Sequence, residues 1–270
     1  MKRLPTYFLS HGGGPWPWMT GPVREHYRGL EASLQTIARE LGSKPRAVLV
    51  VSGHWEAAEF SVMASPNPGM IYDYTGFPEH TYAVRYPAPG SPELAGRVQR
   101  LLEAAGLAAR LDPTRGFDHG CFVPLAVMYP DAGVPVVQLS LKVGYDPETH
   151  LAAGRALAPL RDEGVLVVGS GLSYHNLREF GAGAKEASEA FDAWLQESLL
   201  RSPPAERSRR LLQWESAPAA RRAHPWEDHL IPLMVALGAA EDEPAACVYH
   251  EQDFFGGVTV SSFRFGQAAG

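Results

Sequence analysis

Histidines placed where apolar runs end are the first feature of this chain. Thr6-Tyr-Phe-Leu-Ser-His-Gly-Gly-Gly14 is a short buried-strand pattern that stops at His11 and three glycines. Ala47-Val-Leu-Val-Val-Ser-Gly-His54 repeats it. Val165-Leu-Val-Val-Gly-Ser-Gly-Leu-Ser-Tyr-His175 repeats it again, with a glycine turn at Gly169-Ser-Gly171 before the histidine. Open α/β sheets bind ligands in the crevice at the C-terminal edge of their strands. Glycine lets the backbone turn tightly there and approach a ligand. Three strands that deliver imidazole to one edge predict a metal site or an acid–base step. Asp118-His119-Gly120 and the pair His224 and His229 widen the candidate set to six of the ten histidines. His26 and His150, inside expected helices, read as surface positions or as supports behind a site, and His250, at a strand end, as a surface position.

The elements that must hold these residues alternate in type. Val23, Leu30, Leu34, Ile37, Ala38 and Leu41 recur at helical spacing, and Gly42 stops the pattern, so one helix is expected from Pro22 to Leu41. Further helices are expected from Ser91 to about Ala105, over Val123–Tyr129, from Asp146 to about Arg161, twice between Ala184 and Trp214, and over Glu227–Leu237. Asp146-Pro-Glu has a cap-type Asp, Pro at the first position and acid in the first turn. Besides the three histidine-bearing strands, Phe60–Met63, Leu107–Leu111, Val134–Ser140 and two closing strands from Ala246 complete the set. Strands separated by helices of this length imply βαβ units. The expected fold is α/β: a single domain over residues 1–270, with a central, mostly parallel sheet flanked by helices. Residues Ser65 to Gly90 are rich in Pro, Gly and Tyr without periodicity. Long ordered loops in compact domains are usually functional, so this one is expected to cover the site.

The bulk numbers narrow the partners. A net charge of −6 leaves no basic footprint for nucleic acid. No apolar run approaches the ~20 residues of a membrane helix. Two cysteines, Cys121 and Cys247, make no disulfide framework. With no signal-type N-terminus, a cytoplasmic location is expected. The sequence carries no mark of oligomeric state.

Seven motifs occur in one order along nearly the whole chain: Leu9-Ser-His-Gly, Ser52-Gly-His-Trp-Glu56, Asp73-Tyr-Thr-Gly-Phe-Pro78, Arg85-Tyr-Pro-Ala-Pro-Gly90, Phe117-Asp-His-Gly120, Gly169-Ser-Gly-Leu-Ser-Tyr-His-Asn-Leu177 and His224-Pro-Trp-Glu-Asp-His-Leu-Ile-Pro-Leu233. With them the chain resembles the class III extradiol ring-cleavage dioxygenases of the LigB type, and within these the subgroup acting on 4,5-DOPA. The resemblance implies an α/β fold with one divalent metal per chain and a small aromatic diol and O2 as substrates. Position by position, it implies His11, His54 and His229 as metal ligands. It implies His175 as the acid–base histidine, drawn in some members as a fourth ligand, and His119 as a second catalytic histidine contacting substrate or oxygen. Glu227 and Asp228 stand close enough in sequence to substitute or orient. Where other branches of the family carry Glu, this chain carries His229. That loss of a first-shell charge makes the set more zinc-like, since three His and an open position is also a catalytic zinc arrangement. Fe(II) suits a dioxygenase and Zn(II) a hydrolase on the same site. A third reading is a metal-binding protein without catalysis. Trp16, Trp18, Tyr72, Tyr74, Phe77 and Trp226 are expected in the pocket wall.

Overall fold

The computed structural model describes residues 2–268. Eight strands form one sheet: β1 (Thr6–Ser10), β2 (Ala47–Ala57), β3 (Phe60–Met63), β4 (Ala109–Asp112), β5 (Val136–Lys142), β6 (Val165–Gly171), β7 (Ala245–Phe254) and β8 (Val258–Phe265). Their order is β4-β3-β5-β2-β6-β1-β8-β7. The central run β5-β2-β6-β1 is parallel throughout. β3 and β8 join it antiparallel on either side, so the expected α/β class holds. β1, β2 and β6 are neighbours pointing one way, and their C-terminal ends share one edge.

The helices are α1 (Pro22–Glu25), α2 (Arg28–Glu40), α3 (Pro92–Ala104), α4 (His119–Met128), α5 (Pro147–Leu157), α6 (Lys185–Gln196), α7 (Pro204–Leu212), α8 (Ala220–Ala223) and α9 (Pro232–Gly238). Side chains alternate across a strand, and β6 shows helices on both of its faces. A Cβ at Gly169 would lie 2.2 Å from the Pro232 carbonyl oxygen of α9. One residue on, Ser170 reaches the Gly120 carbonyl of α4 on the opposite face. α9 is buried all round, packed against β1, β2, β6 and α5. Among the described residues no helix is long and apolar enough to cross a membrane.

Several boundaries differ from the sequence pattern. The first helix is two, α1 and α2, broken around Tyr27. The Tyr27 ring is buried, stacked on Trp16 at 4.9 Å between centroids, and this tertiary contact overrides helical continuity. The helix expected from Glu227 starts at Pro232. The residues before it turn instead, with Leu230 and Ile231 both donating to the Glu227 carbonyl at 2.9 Å. Gly169-Ser-Gly171 is not a turn but the end of β6, where glycine serves close packing against α9 and the His229 backbone. β2 does not stop at His54 but runs on to Ala57, with a register shift against β5 between Val51 and Glu56.

Candidate active site

Backbone contacts bring the histidines together. His11 follows β1 directly. Its N–H donates to the Gly171 carbonyl at 3.1 Å, and its own carbonyl accepts from Trp16 Nε1 at 2.8 Å. Gly12 then adopts a φ of +77°, which bends the chain away from the sheet edge at little steric cost only for glycine. His54 lies inside β2, its N–H 3.2 Å from Ser52 Oγ. His229 sits in the turn before α9, and its carbonyl accepts from Leu172 N at 3.1 Å. A Cβ on Gly171 would stand 2.0 Å from that carbonyl oxygen, so glycine is required for the turn to approach β6.

Three ring nitrogens converge. His54 Nε2 is 3.1 Å from His11 Nε2 and 3.1 Å from His229 Nε2. The opposite nitrogens explain the orientation. His11 Nδ1 lies 3.0 Å from Ser170 Oγ, whose own proton goes to the Gly120 carbonyl at 2.5 Å. Ser170 can therefore only accept from His11, which places the proton on Nδ1 and leaves the Nε2 lone pair free. His54 Nδ1 is 3.3 Å from Asp73 Oδ2, and His229 Nδ1 is 2.9 Å from Asp228 Oδ2. Burial, then the neighbouring imidazoles, holds the His11 pKa well below its ordinary value, and the same causes act on His229. For His54, burial and then His119 lower it to about 4, against the opposing pull of Asp118 and Asp73. All three rings are thus neutral near pH 7. Three neutral lone pairs aimed at one buried point repel each other unless a cation lies between them. Nitrogens bound to one ion at about 2.1 Å stand roughly 3.0–3.4 Å apart, and both measured separations fall there. The donor set fits a divalent ion.

His119 and His175 flank this trio. His119 opens α4, where Asp118 caps the helix by accepting from Cys121 N. Its backbone N–H and its Nδ1 both reach Asp73 Oδ1, at 3.0 and 2.9 Å. Its ring centroid is 3.9 Å from that of His54. His175 is fixed by its N–H donating to the Ala223 carbonyl at 2.9 Å. Its ring stacks on His229 with centroids 3.4 Å apart, and its Nδ1 is 3.7 Å from Asp228 Oδ1. Burial alone would raise the Asp73 carboxyl, but its contacts with His119 and His54 outweigh that and hold it at about 2. Burial opposes ionisation of Asp228 too, and His175 and His229 hold it well below the carboxylate range. Each carboxylate thus bridges one inner and one flanking histidine.

The model of the LigB family, the catalytic subunit of aromatic ring-opening dioxygenase, matches residues 5–266. The chain belongs to the LigB family. It is a ring-opening dioxygenase, an enzyme class that takes an aromatic substrate and O2. LigB dioxygenases are metal-dependent, and the trio described above is a group with the spacing to hold an ion. A 4,5-DOPA dioxygenase extradiol of Beta vulgaris is 40% identical over 96% of both chains. One of Portulaca grandiflora is 42% identical over 96% of this chain and 95% of its own. The crystal structure of an uncharacterised Escherichia coli K12 protein superposes with a TM-score of 0.79 at 32% identity, covering 98% of this chain and all of that one.

In this LigB chain a cavity of ≈530 Å³ opens over the five histidines. The long loop contributes Asp73, Tyr74 and Phe77 to its wall. The other expected wall residues lie elsewhere. Trp16 is fully buried against Tyr27, and Trp18 packs on Phe122. Tyr72 turns its hydroxyl to the Val84 carbonyl within the loop. Trp226 points outward, 73% exposed. Two further histidines are structural. His224 is fully buried with Nε2 on the Ser173 carbonyl. His150, expected at the surface or behind a site, is fully buried between the Lys142 N–H and the Asp146 carbonyl. The sequence reading gave no role to Asp73 or Ser170, although both stand inside quoted motifs. It also missed Phe254 and Phe255, whose part in the wall depends on where the β7–β8 hairpin folds back.

Proposed function

We propose that the chain is an extradiol dioxygenase that opens the ring of a catechol-type, DOPA-like diol at a mononuclear site held by His11, His54 and His229. The observation that carries this is the convergence of three neutral imidazoles, with His54 Nε2 3.1 Å from both His11 Nε2 and His229 Nε2, beneath a cavity with two further histidines. A bound Fe(II) would supply open coordination positions and redox chemistry with O2, which Zn(II) has no means to supply.

The chain's own groups do the rest. His175 takes a proton from a catechol hydroxyl, since a diol approaching the trio passes beside its ring. Asp228, between His175 and His229, orients that base and stabilises the imidazolium that forms. His119 donates from Nδ1 to Asp73 and keeps its Nε2 lone pair to accept a hydrogen bond from the substrate, and the proton taken up by His175 is returned as the ring opens. Tyr74 and Phe77 flank the ring and exclude water. His175 stacks beside His229 rather than sharing the three-nitrogen point, which favours the base over a fourth ligand. Cytoplasmic location fits two unpaired cysteines.

The test is anaerobic reconstitution with Fe(II), then O2 uptake on a catechol panel. The expected product contains both added oxygen atoms. Full iron loading without O2 uptake on any catechol, together with anaerobic hydrolytic activity of the zinc form, would establish the hydrolase instead.

A further inference from the structure

The turn that follows His175 bears on what hangs from the diol ring. Resting on the dioxygenase reading, we propose that Arg178 takes the carboxylate of a diol whose ring carries an acidic side chain, as a DOPA-like substrate does. The chain leaves His175 and turns tightly over Asn176–Glu179, closed by the Glu179 N–H donating to the Asn176 carbonyl at 3.1 Å. The Asn176 side chain braces this turn. It accepts from the Arg178 N–H at 3.2 Å and donates to the Arg222 carbonyl at 2.8 Å. Glu179 pairs with Arg222. Leu177 and Arg178 are left at the tip. Leu177 lines the cavity, as does Phe180 beyond the turn, so the tip borders the cavity mouth. Among the described residues the Arg178 guanidinium has no hydrogen-bond or carboxylate partner.

Arg178 is three residues from His175, at most about 10–11 Å of extended chain. That is the scale of a catechol ring with a three-carbon side chain. A diol held at the trio beside His175 therefore brings the end of such a side chain within reach of the turn. The wall itself offers that end little. Its carboxylates, Asp73 and Asp228, are anionic and engaged by histidines, and Leu172, Leu177 and Phe255 are hydrocarbon. A charge left unpaired there is costly. Arg24 and Arg222 are held by Glu31 and Glu179, whereas Arg178 is uncommitted. Arginine lays its stem along apolar surface and keeps its head in water, and Leu177, 70% exposed, supplies such a surface. Its planar fork donates to both oxygens of a carboxylate at once.

The experiment uses two pairs of diols that differ only by the carboxylate: DOPA with dopamine, and dihydroxyphenylpropionate with ethylcatechol. kcat/KM is read by O2 uptake on the iron form, and Kd by calorimetry on the zinc form, which does not turn over. In both pairs Arg178→Ala should lower the preference for the acid by about tenfold, through KM and Kd rather than kcat. Arg178→Lys keeps the charge without the fork and should fall between wild type and Arg178→Ala. Raising the salt concentration should narrow the wild-type preference and leave that of Arg178→Ala nearly unchanged. Equal losses on all four compounds overturn the proposal, since they would make Arg178 a support of the turn. Undiminished affinity of Arg178→Ala for the acids overturns it too. An acid-specific loss of affinity without O2 uptake on any compound would leave the role of Arg178 standing and remove the dioxygenase reading.

Discussion

Ser170 Oγ stands 3.0 Å from His11 Nδ1 while donating to the Gly120 carbonyl. One buried hydroxyl on β6 thereby sets the tautomer of a histidine on β1. Partners of this kind raise ligand basicity and fix ring orientation. Ser170→Ala should lower metal affinity by about 10- to 100-fold with the fold intact. Competition against a chelator of known affinity measures this. Unchanged affinity would mean that His11 is oriented by its backbone contacts alone.

Asp73 bridges His119 and His54. Asp73→Asn keeps the shape but removes the charge and lets the amide offer a donor to either ring. Turnover should fall by about 10- to 100-fold, more through kcat than KM, with the metal retained in the main. Metal analysis and steady-state O2 uptake on one preparation separate the two effects. Loss of metal in proportion to activity would place Asp73 with the ligand shell.

His175 stacks on His229 without joining the trio of close nitrogens. His175→Ala should retain metal and bind catechol, while turnover falls by about 10²–10⁴. Metal content of the purified variant is the deciding measurement. An apo variant would make His175 an obligatory ligand.

His150 tests the fold by pH. Burial drives its pKa from 6.5 to about 4, although its bond to the Asp146 carbonyl pulls the other way. Between those values the unfolded chain binds more protons than the folded one. Stability from this group is therefore full above about pH 6.5, declines as pH falls, and levels off below about 4. A shift of this size corresponds to roughly 3 kcal/mol at most. His150→Gln keeps an acceptor for the Lys142 N–H and removes the titration. Its urea midpoint should fall less between pH 7 and pH 5 than that of wild type. Parallel losses in both proteins would show that other buried histidines, such as His224, govern the acid limb.

What the sequence determined is what local pattern encodes. Apolar runs such as Ala47–Val51 state that a strand is buried. The placement of His11, His54 and His175 after such runs states that imidazoles gather at one edge, because parallel strands end together. Periodicity marked α2 for the same local reason. The tertiary structure decided the partners. Asp73 meets His119 from 46 residues away, and His54 meets His229 from 175, and no spacing rule spans such distances. Trp226 and Tyr72 share the composition of pocket aromatics but turn outward or into their own loop, because side-chain direction follows the packed backbone. His150 and His224 look like any surface or site histidine in sequence, yet both are fully buried. Burial is a property of what packs around a residue, and only the assembled sheet and helices supply it.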